Sequence, residues 1–262
     1  MLSSQYEHRA RGTIPTITTM SESPQPFVPP PRRMFPTMMI LTIIAALGIV
    51  VWFNYYIKVT NDMKKGRLAM RGRVETDPGN WVERDGTPRK LEDLKGKVIV
   101  WSYLYTTCPS GCAGVAEKMK ELQDEFGSNP KFQLVSVSLY PEHDRPANLK
   151  GWTETNGFKG DNWWFLTSAG GTEAEGDTVR KWMQKSFGMW AKKKDPEHIA
   201  KFPADVWDHN LVMTASDPNG NVRAPTNADS FWVPFHATYD NNWYPRPLRE
   251  DVKKLLEEAE KK

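Results

Sequence analysis

Cysteine is almost absent from this chain: only Cys108 and Cys112 occur in 262 residues. That excludes a scaffold stapled by several disulfides, and a domain of this size does not depend on one. An excess of one charge is also missing, since 35 basic residues face 32 acidic ones for a net +3. No helix face carries a basic stripe, so the folded part lacks the electrostatic footprint of a nucleic-acid binder. There is no internal repeat. Once a polar N-terminal stretch and one apolar run are set aside, about 190 residues remain, enough for one well-buried domain but not for two.

The first 36 residues hold seven prolines among many Ser and Thr, with little apolar periodicity. Such a composition cannot bury enough surface to offset ordering entropy, so residues 1–36 are expected to be a disordered tail. Residues 37–57 contain no charge at all. At a rise of about 1.5 Å per residue this run spans a hydrocarbon core of roughly 30 Å, and Trp52, Tyr55 and Tyr56 gather at its end like an aromatic belt. A cleavable signal peptide is the rival reading. The run is long, starts late and is followed by NYYIKVTND rather than a small-residue cleavage site, which favours a retained transmembrane helix. Residues 58–73 carry a charge of about +5 and read as a basic tether against anionic headgroups, with the folded domain at 74–262. The positive-inside rule, counted over these residues alone, points the domain inward, but large folded domains translocate in spite of flanking charge.

Within the domain, Trp81 to Arg84, an Asp85-Gly86 turn and LEDL at 91–94 read as a hairpin leading into a helical turn. VIVWSYLY at 98–105 is a continuous β-branched and aromatic run, expected to be a central strand buried on both faces. Val115, Met119, Leu122 and Phe126 then recur at helical spacing, and FQLVSVSL at 132–139 is a second strand, giving a βαβ unit with a parallel sheet. A helix from Pro146 to about Asn156, a short strand at Trp163–Leu166 and a helix over Thr178–Phe187 follow. Residues 191–207 read as a polar excursion. A hairpin from His209 through the Pro218-Asn219-Gly220 turn to Arg223, and a charged amphipathic helix over Leu248–Lys261, close the chain.

The two cysteines lie four residues apart where a strand gives way to a helix. On an ideal helix their Cα atoms stand about 6.2 Å apart with both sulfurs on one face. The positive end of the helix is expected to lower the cysteine pKa toward thiolate, the form that both metal binding and disulfide exchange require. Of the five histidines, His8 falls in the tail, and His143, His198 and His236 carry no special signal. His209 stands out because Asp208-His209-Asn210 opens the strand LVMTAS, which in a thioredoxin-like sheet can begin near the turn bearing the cysteines. Two thiolates and one imidazole form a soft three-donor set suited to Cu(I), whereas structural zinc normally takes four protein ligands. Met119, Met183 and Met213 are expected in the core, and Glu173/Glu175 and Glu257/Glu258 on solvated faces or loops rather than as acid/base pairs.

Taken in order, LEDLKGK before a buried strand, TTCPSGC, VSLYPEHDRP and DHNLVMTASDPNG resemble the SCO/SenC family of copper chaperones, which assist assembly of the copper centre of cytochrome c oxidase. The C-P-x-x-C of that family matches Cys108 to Cys112, and its D-H before a strand ending in D-P-x-G matches Asp208-His209 through Gly220. The resemblance implies an α/β, thioredoxin-like fold and copper ligated by Cys108, Cys112 and His209. It also implies a single-pass membrane protein whose C-terminal domain is extracytoplasmic, or in the mitochondrial inner membrane of a eukaryote. The implied partner is a copper-bearing oxidase subunit. The sequence departs from the family at Ala113, where a proline is usual, at Tyr140, where an aspartate is usual, and in a long segment around His198. The aromatic segment at 231–247 has no counterpart in the pattern. A thiol-disulfide oxidoreductase using the redox-active pair Cys108/Cys112, or a redox or copper sensor, is the alternative function, and His209 separates them because dithiol exchange needs no distant histidine.

Overall fold

The computed structural model describes residues 35–64, 68–109, 111–225, 233–234 and 248–261. The tail at 1–34, Ser110, His8, His236 and most of the aromatic segment at 231–247 lie outside the described residues.

The first helix, α1 (Phe35–Lys64), contains a stretch, Met38–Lys58, long and apolar enough to cross a membrane, and none of that stretch is buried. The hydroxyl of Thr42 within it donates to the carbonyls of Met38 and Met39 on its own helix, the arrangement an apolar surrounding demands. Trp52 and Tyr56, four apart, stack at 5.6 Å. Helix continues to Lys64, and Ala69–Arg73 forms a strand, β1, so the basic stretch expected as a tether over 58–73 is largely structured. Pairing explains the strand: β1 lies antiparallel to Asn221–Ala224, and the preceding Leu68 is buried. The main sheet thus includes residues that precede 74.

The sheet grows from β4 (Val98–Leu104), all of whose side chains are buried. On one side it pairs in parallel with β5 (Phe132–Ser138), which pairs in parallel with β6 (Trp163–Ser168), two residues longer than the sequence pattern indicated. On the other side β4 runs antiparallel to β9 (Val212–Ser216), joined by a hairpin to β10 (Asn221–Ala224) and then to β1. A short hairpin of β2 (Trp81–Glu83) and β3 (Pro88–Arg89) extends the far edge against β6, and a 3-10 turn follows at Leu91–Leu94. A two-residue strand, β11 (Val233–Pro234), also meets β9.

The crossover helix α2 (Cys112–Phe126) buries Val115, Ala116, Met119 and Leu122 against β4 and β5, and α6 (Leu248–Glu260) packs on β4 and β9. α3 (Pro146–Thr155) starts on its proline, where the missing N–H costs nothing. α4 (Glu173–Phe187) begins five residues earlier than its apolar spacing indicates. Thr172 and Glu175 form a capping box, each side chain satisfying the other's backbone N–H, so Glu175 is a cap rather than a solvated side chain. From α4, Trp182 and Phe187 meet Trp101 of β4 at ring separations of 5.8 and 4.8 Å.

The segment expected as a polar excursion is ordered. β7 (Ala191–Lys193), α5 (Pro196–Lys201) and β8 (Trp207–His209) form a unit in which β7 and β8 pair antiparallel, separate from the main sheet. His209 thus closes β8 rather than opening β9. The three methionines at helix and strand positions are all fully buried in the core. Met119→Ala is expected to destabilise the protein by about 2–5 kcal/mol, the range for emptying a packed Met site, read as a lower denaturation midpoint. A change below about 0.5 kcal/mol would place Met119 outside the core.

Candidate metal centre

β4 ends at Leu104 on the edge of the sheet, and the chain passes through Tyr105, Thr106 and Thr107 before Cys108. Cys108 is not on the helix. It sits in the loop, its N–H donating to the Tyr105 carbonyl at 3.2 Å, while Cys112 is the first helical residue. The ideal-helix geometry therefore does not apply, and Gly111 is the reason: it caps α2 at φ 92, in the left-handed region glycine tolerates, and turns the chain between the two cysteines. A Cβ at Gly111 would also overlap the side chain of Leu211, so the glycine lets the loop after His209 close over the turn.

His209 arrives from β8. Its Nε2 lies 3.4 Å from Cys112 Sγ, and the donor atoms of Cys108, Cys112 and His209 all fall within 4.8 Å of one another. On the far side of the ring, Nδ1 lies 3.2 Å from the Asn210 carbonyl, which assigns the proton to Nδ1 and leaves the Nε2 lone pair facing the sulfur. Asn210 is itself held, accepting from the Trp190 N–H at 3.0 Å and donating to the Gly188 carbonyl at 3.2 Å. A metal held by two thiolates and an imidazole at about 2.0–2.3 Å needs donors roughly 4 Å apart, so these residues fit such an ion with small adjustments.

Cys108 and Cys112 are both thiols here, Cys108 half-buried and Cys112 only 1% exposed. Burial pushes the Cys112 thiol well above its ordinary value, with the hydrogen bond to and charge of Cys108 adding to the rise. The expected lowering by the helix terminus is overridden because desolvation penalises the thiolate most strongly. A metal ion supplies compensating positive charge, so binding would release the thiol protons.

A second layer fixes the loop. Asp144, fully buried, accepts from the Thr106 N–H and hydroxyl (3.1 and 2.5 Å) and from Ser138 Oγ (2.6 Å), tying the run before Cys108 to the end of β5. His143 donates from Nδ1 to Asp144 at 3.1 Å and stacks on Tyr140 at 5.5 Å. That hydrogen bond raises the His143 pKa above 6.5. Tyr103 and Tyr105 present their rings to His209 edge-on, at 6.4 and 5.6 Å. Burial raises both phenols, so each stays neutral. His143 and His198 stand outside the donor cluster, His198 being bound to Asp205 at 2.8 Å.

An α/β sheet of thioredoxin-like order with two cysteines at the strand-to-helix turn and a histidine facing them defines a thiol-based metal-site protein. Residues 76–229 match the family model described as SCO1/SenC. The SCO1 protein homolog of Bacillus subtilis is 32% identical over 149 residues, covering 56% of this chain and 71% of that one. Among solved structures, BsSco, a member of the Sco family of cytochrome c oxidase assembly proteins in which a disulfide switch was identified, is 25% identical, with a TM-score of 0.50 over 70% of this chain and 94% of that one. ScoI of Bradyrhizobium japonicum, solved with copper bound, is 20% identical, with a TM-score of 0.50 over 68% of this chain and 98% of that one. The chain belongs to the SCO1/SenC family.

The raised His143 pKa fixes the sign of a pH effect. The protonated pair with Asp144 stabilises the fold fully below the unfolded value of 6.5, and this contribution is lost as pH rises through the folded value. The stability gap between the wild type and His143→Gln is expected to shrink as pH rises above 6.5 in denaturant titrations; a gap that widens with pH would contradict the pairing.

Proposed function

We propose that this chain is a membrane-anchored copper-binding assembly factor that holds copper through Cys108, Cys112 and His209 and passes it to the copper-bearing subunit of a cytochrome c oxidase. The observation that carries the reading is the convergence of two sulfurs and an imidazole nitrogen within 4.8 Å, a soft three-donor set suited to Cu(I). Family membership and the copper-bound relative support the metal. The asymmetry of the pair supports transfer: Cys112 is buried, whereas Cys108 is half-buried next to exposed Pro109, so an incoming ligand from a partner meets Cys108 first. Copper is cargo here, and the protein's part is to hold two thiolates and the imidazole in place and to admit the recipient on one side.

In this reading α1 is a retained anchor and the domain lies on the extracytoplasmic side, across the inner membrane if the source is eukaryotic. The unburied apolar stretch Met38–Lys58 supports the anchor, and membership of the SCO1/SenC family supports the outward side. A periplasm-active reporter fused after Lys262 is expected to be active; activity only from a reporter that requires the cytoplasm overturns the orientation.

Reduced full-length protein in detergent is expected to bind about one equivalent of Cu(I), and to lose most of it when Cys108 and Cys112 are oxidised to the disulfide. His209→Ala is expected to keep the thiols competent for oxidation and reduction, to retain weakened Cu(I) binding and to lose Cu(II) affinity more steeply, since Cu(II) favours nitrogen donors. Normal binding of both copper states by His209→Ala would make thiol-disulfide exchange the better reading.

A further inference from the structure

We propose that Tyr105 is the positioning residue that joins the two halves of the metal centre, and that Asp205, from the segment between β7 and β8, holds it in place. The inference rests on the reading of Cys108, Cys112 and His209 as the metal donors.

Tyr105 meets both halves of the site. Its carbonyl accepts the Cys108 N–H at 3.2 Å, in the turn that leads to Cys112. Its ring meets the His209 imidazole at 5.6 Å and 71°. Its hydroxyl donates to the carbonyl of Trp207, two residues before His209, at 3.2 Å, and lies 3.4 Å from Asp205 Oδ1. The backbone of one residue thus sets the cysteine loop while its side chain sets the strand that delivers the histidine.

Asp205 gives the hydroxyl a fixed target. Its other oxygen, Oδ2, accepts from Lys194 Nζ at 2.6 Å and pairs with His198 Nε2 at 2.8 Å. The Lys194 N–H donates to the Val206 carbonyl at 2.9 Å, so the same lysine is tied to the carboxylate and to the backbone of the next residue. The β7–α5–β8 unit, which carries His209, is in this way also tied to the cysteine loop through one phenol. The neighbouring tyrosine shows the contrast: Tyr103 also packs on His209, but its buried hydroxyl meets no hydrogen-bond partner among the described residues and can hold nothing. Groups that orient a metal ligand from behind alter metal affinity by about 10–100-fold when removed. A hydroxyl that fixes the backbone two residues from His209 acts in that way.

The test uses the full chain in detergent with Tyr105→Phe, which keeps the ring, Asp205→Asn, and the double variant. Cu(II) and Cu(I) affinities are measured by competition and the Cu(II) site by absorption and electron paramagnetic resonance. The His209 imidazole of the metal-free protein is followed by nitrogen-15 histidine spectra. Tyr105→Phe is expected to weaken Cu(II) by about 10–100-fold with an altered spectrum, and to weaken Cu(I), which two thiolates can hold, by less. Asp205→Asn should act in the same direction, with the double variant no weaker than Tyr105→Phe alone. In the metal-free protein the His209 resonances should shift and broaden. Unchanged copper spectra and unchanged His209 resonances overturn the proposal. So do losses that add in the double variant and fall equally on both copper states in step with a lower thermal midpoint, the mark of a merely structural residue. If the wild type itself binds no copper, the metal reading fails, and the metal-free His209 spectra still decide whether Tyr105 positions that ring.

Discussion

The antiparallel pairing of β4 with β9, with Ser102 opposite Met213, governs everything at the metal centre. It brings the chain just past the end of β4 and the chain just before β9, and with them Cys112 and His209, 97 residues apart in sequence, to the same place. Both strands are buried along their whole length, so a slip of one residue would turn every side chain to the wrong face and is strongly disfavoured. The register fixes the start of β9, three residues after His209, to within one residue. The remaining placement falls to the close approach of Leu211 to Gly111 and to the hydrogen bonds around Asn210 and Tyr105.

Electrostatically the centre is poised toward the neutral form. Cys112 is buried, the phenols around His209 are neutral, and the buried carboxylate of Asp144 lies near enough to disfavour a thiolate further. Burial outweighs the contacts that favour ionisation at Cys112, so that thiol gains little by ionising alone. A monovalent or divalent soft cation reverses that balance, which is the physical sense in which the pocket selects for a metal rather than for free thiolates.

The central strands and the clustering of Cys108, Cys112 and His209 were legible because their signals are strong and local. VIVWSYLY has no other stable home than a sheet covered on both sides, and the pairing of two lone cysteines with a histidine before a strand follows from donor chemistry. What was not legible depends on long-range partners. Ala191–Lys193 shows no alternation and is a strand only because Trp207–His209 lies beside it. Ala69–Arg73, basic enough to read as a tether, is a strand only because β10 offers an edge. The capping box at Thr172 and Glu175 was visible as a Thr-x-x-Glu pattern that apolar spacing alone passes over. The direction of the Cys112 shift was out of reach, since the helix terminus is written in the sequence and the depth of burial is not. Asp144 carried one usable signal: an acid just past the end of a strand parallel to β4 lies on the same edge of the sheet as the cysteine loop.

The order of the donors along the chain carries a consequence for biogenesis. Both sulfurs are made early, with β4 and α2, whereas the imidazole follows only after β5, β6, α4 and the β7–α5 segment have been made. A nascent chain holding residues up to α4 therefore has two thiols and no nitrogen to complete the set, and β4 still lacks its antiparallel neighbour. Long-range strand pairing of this kind forms late and slowly. In the proposed reading, coordination by all three groups is thus a property of the finished domain, reached only when synthesis and folding are both complete.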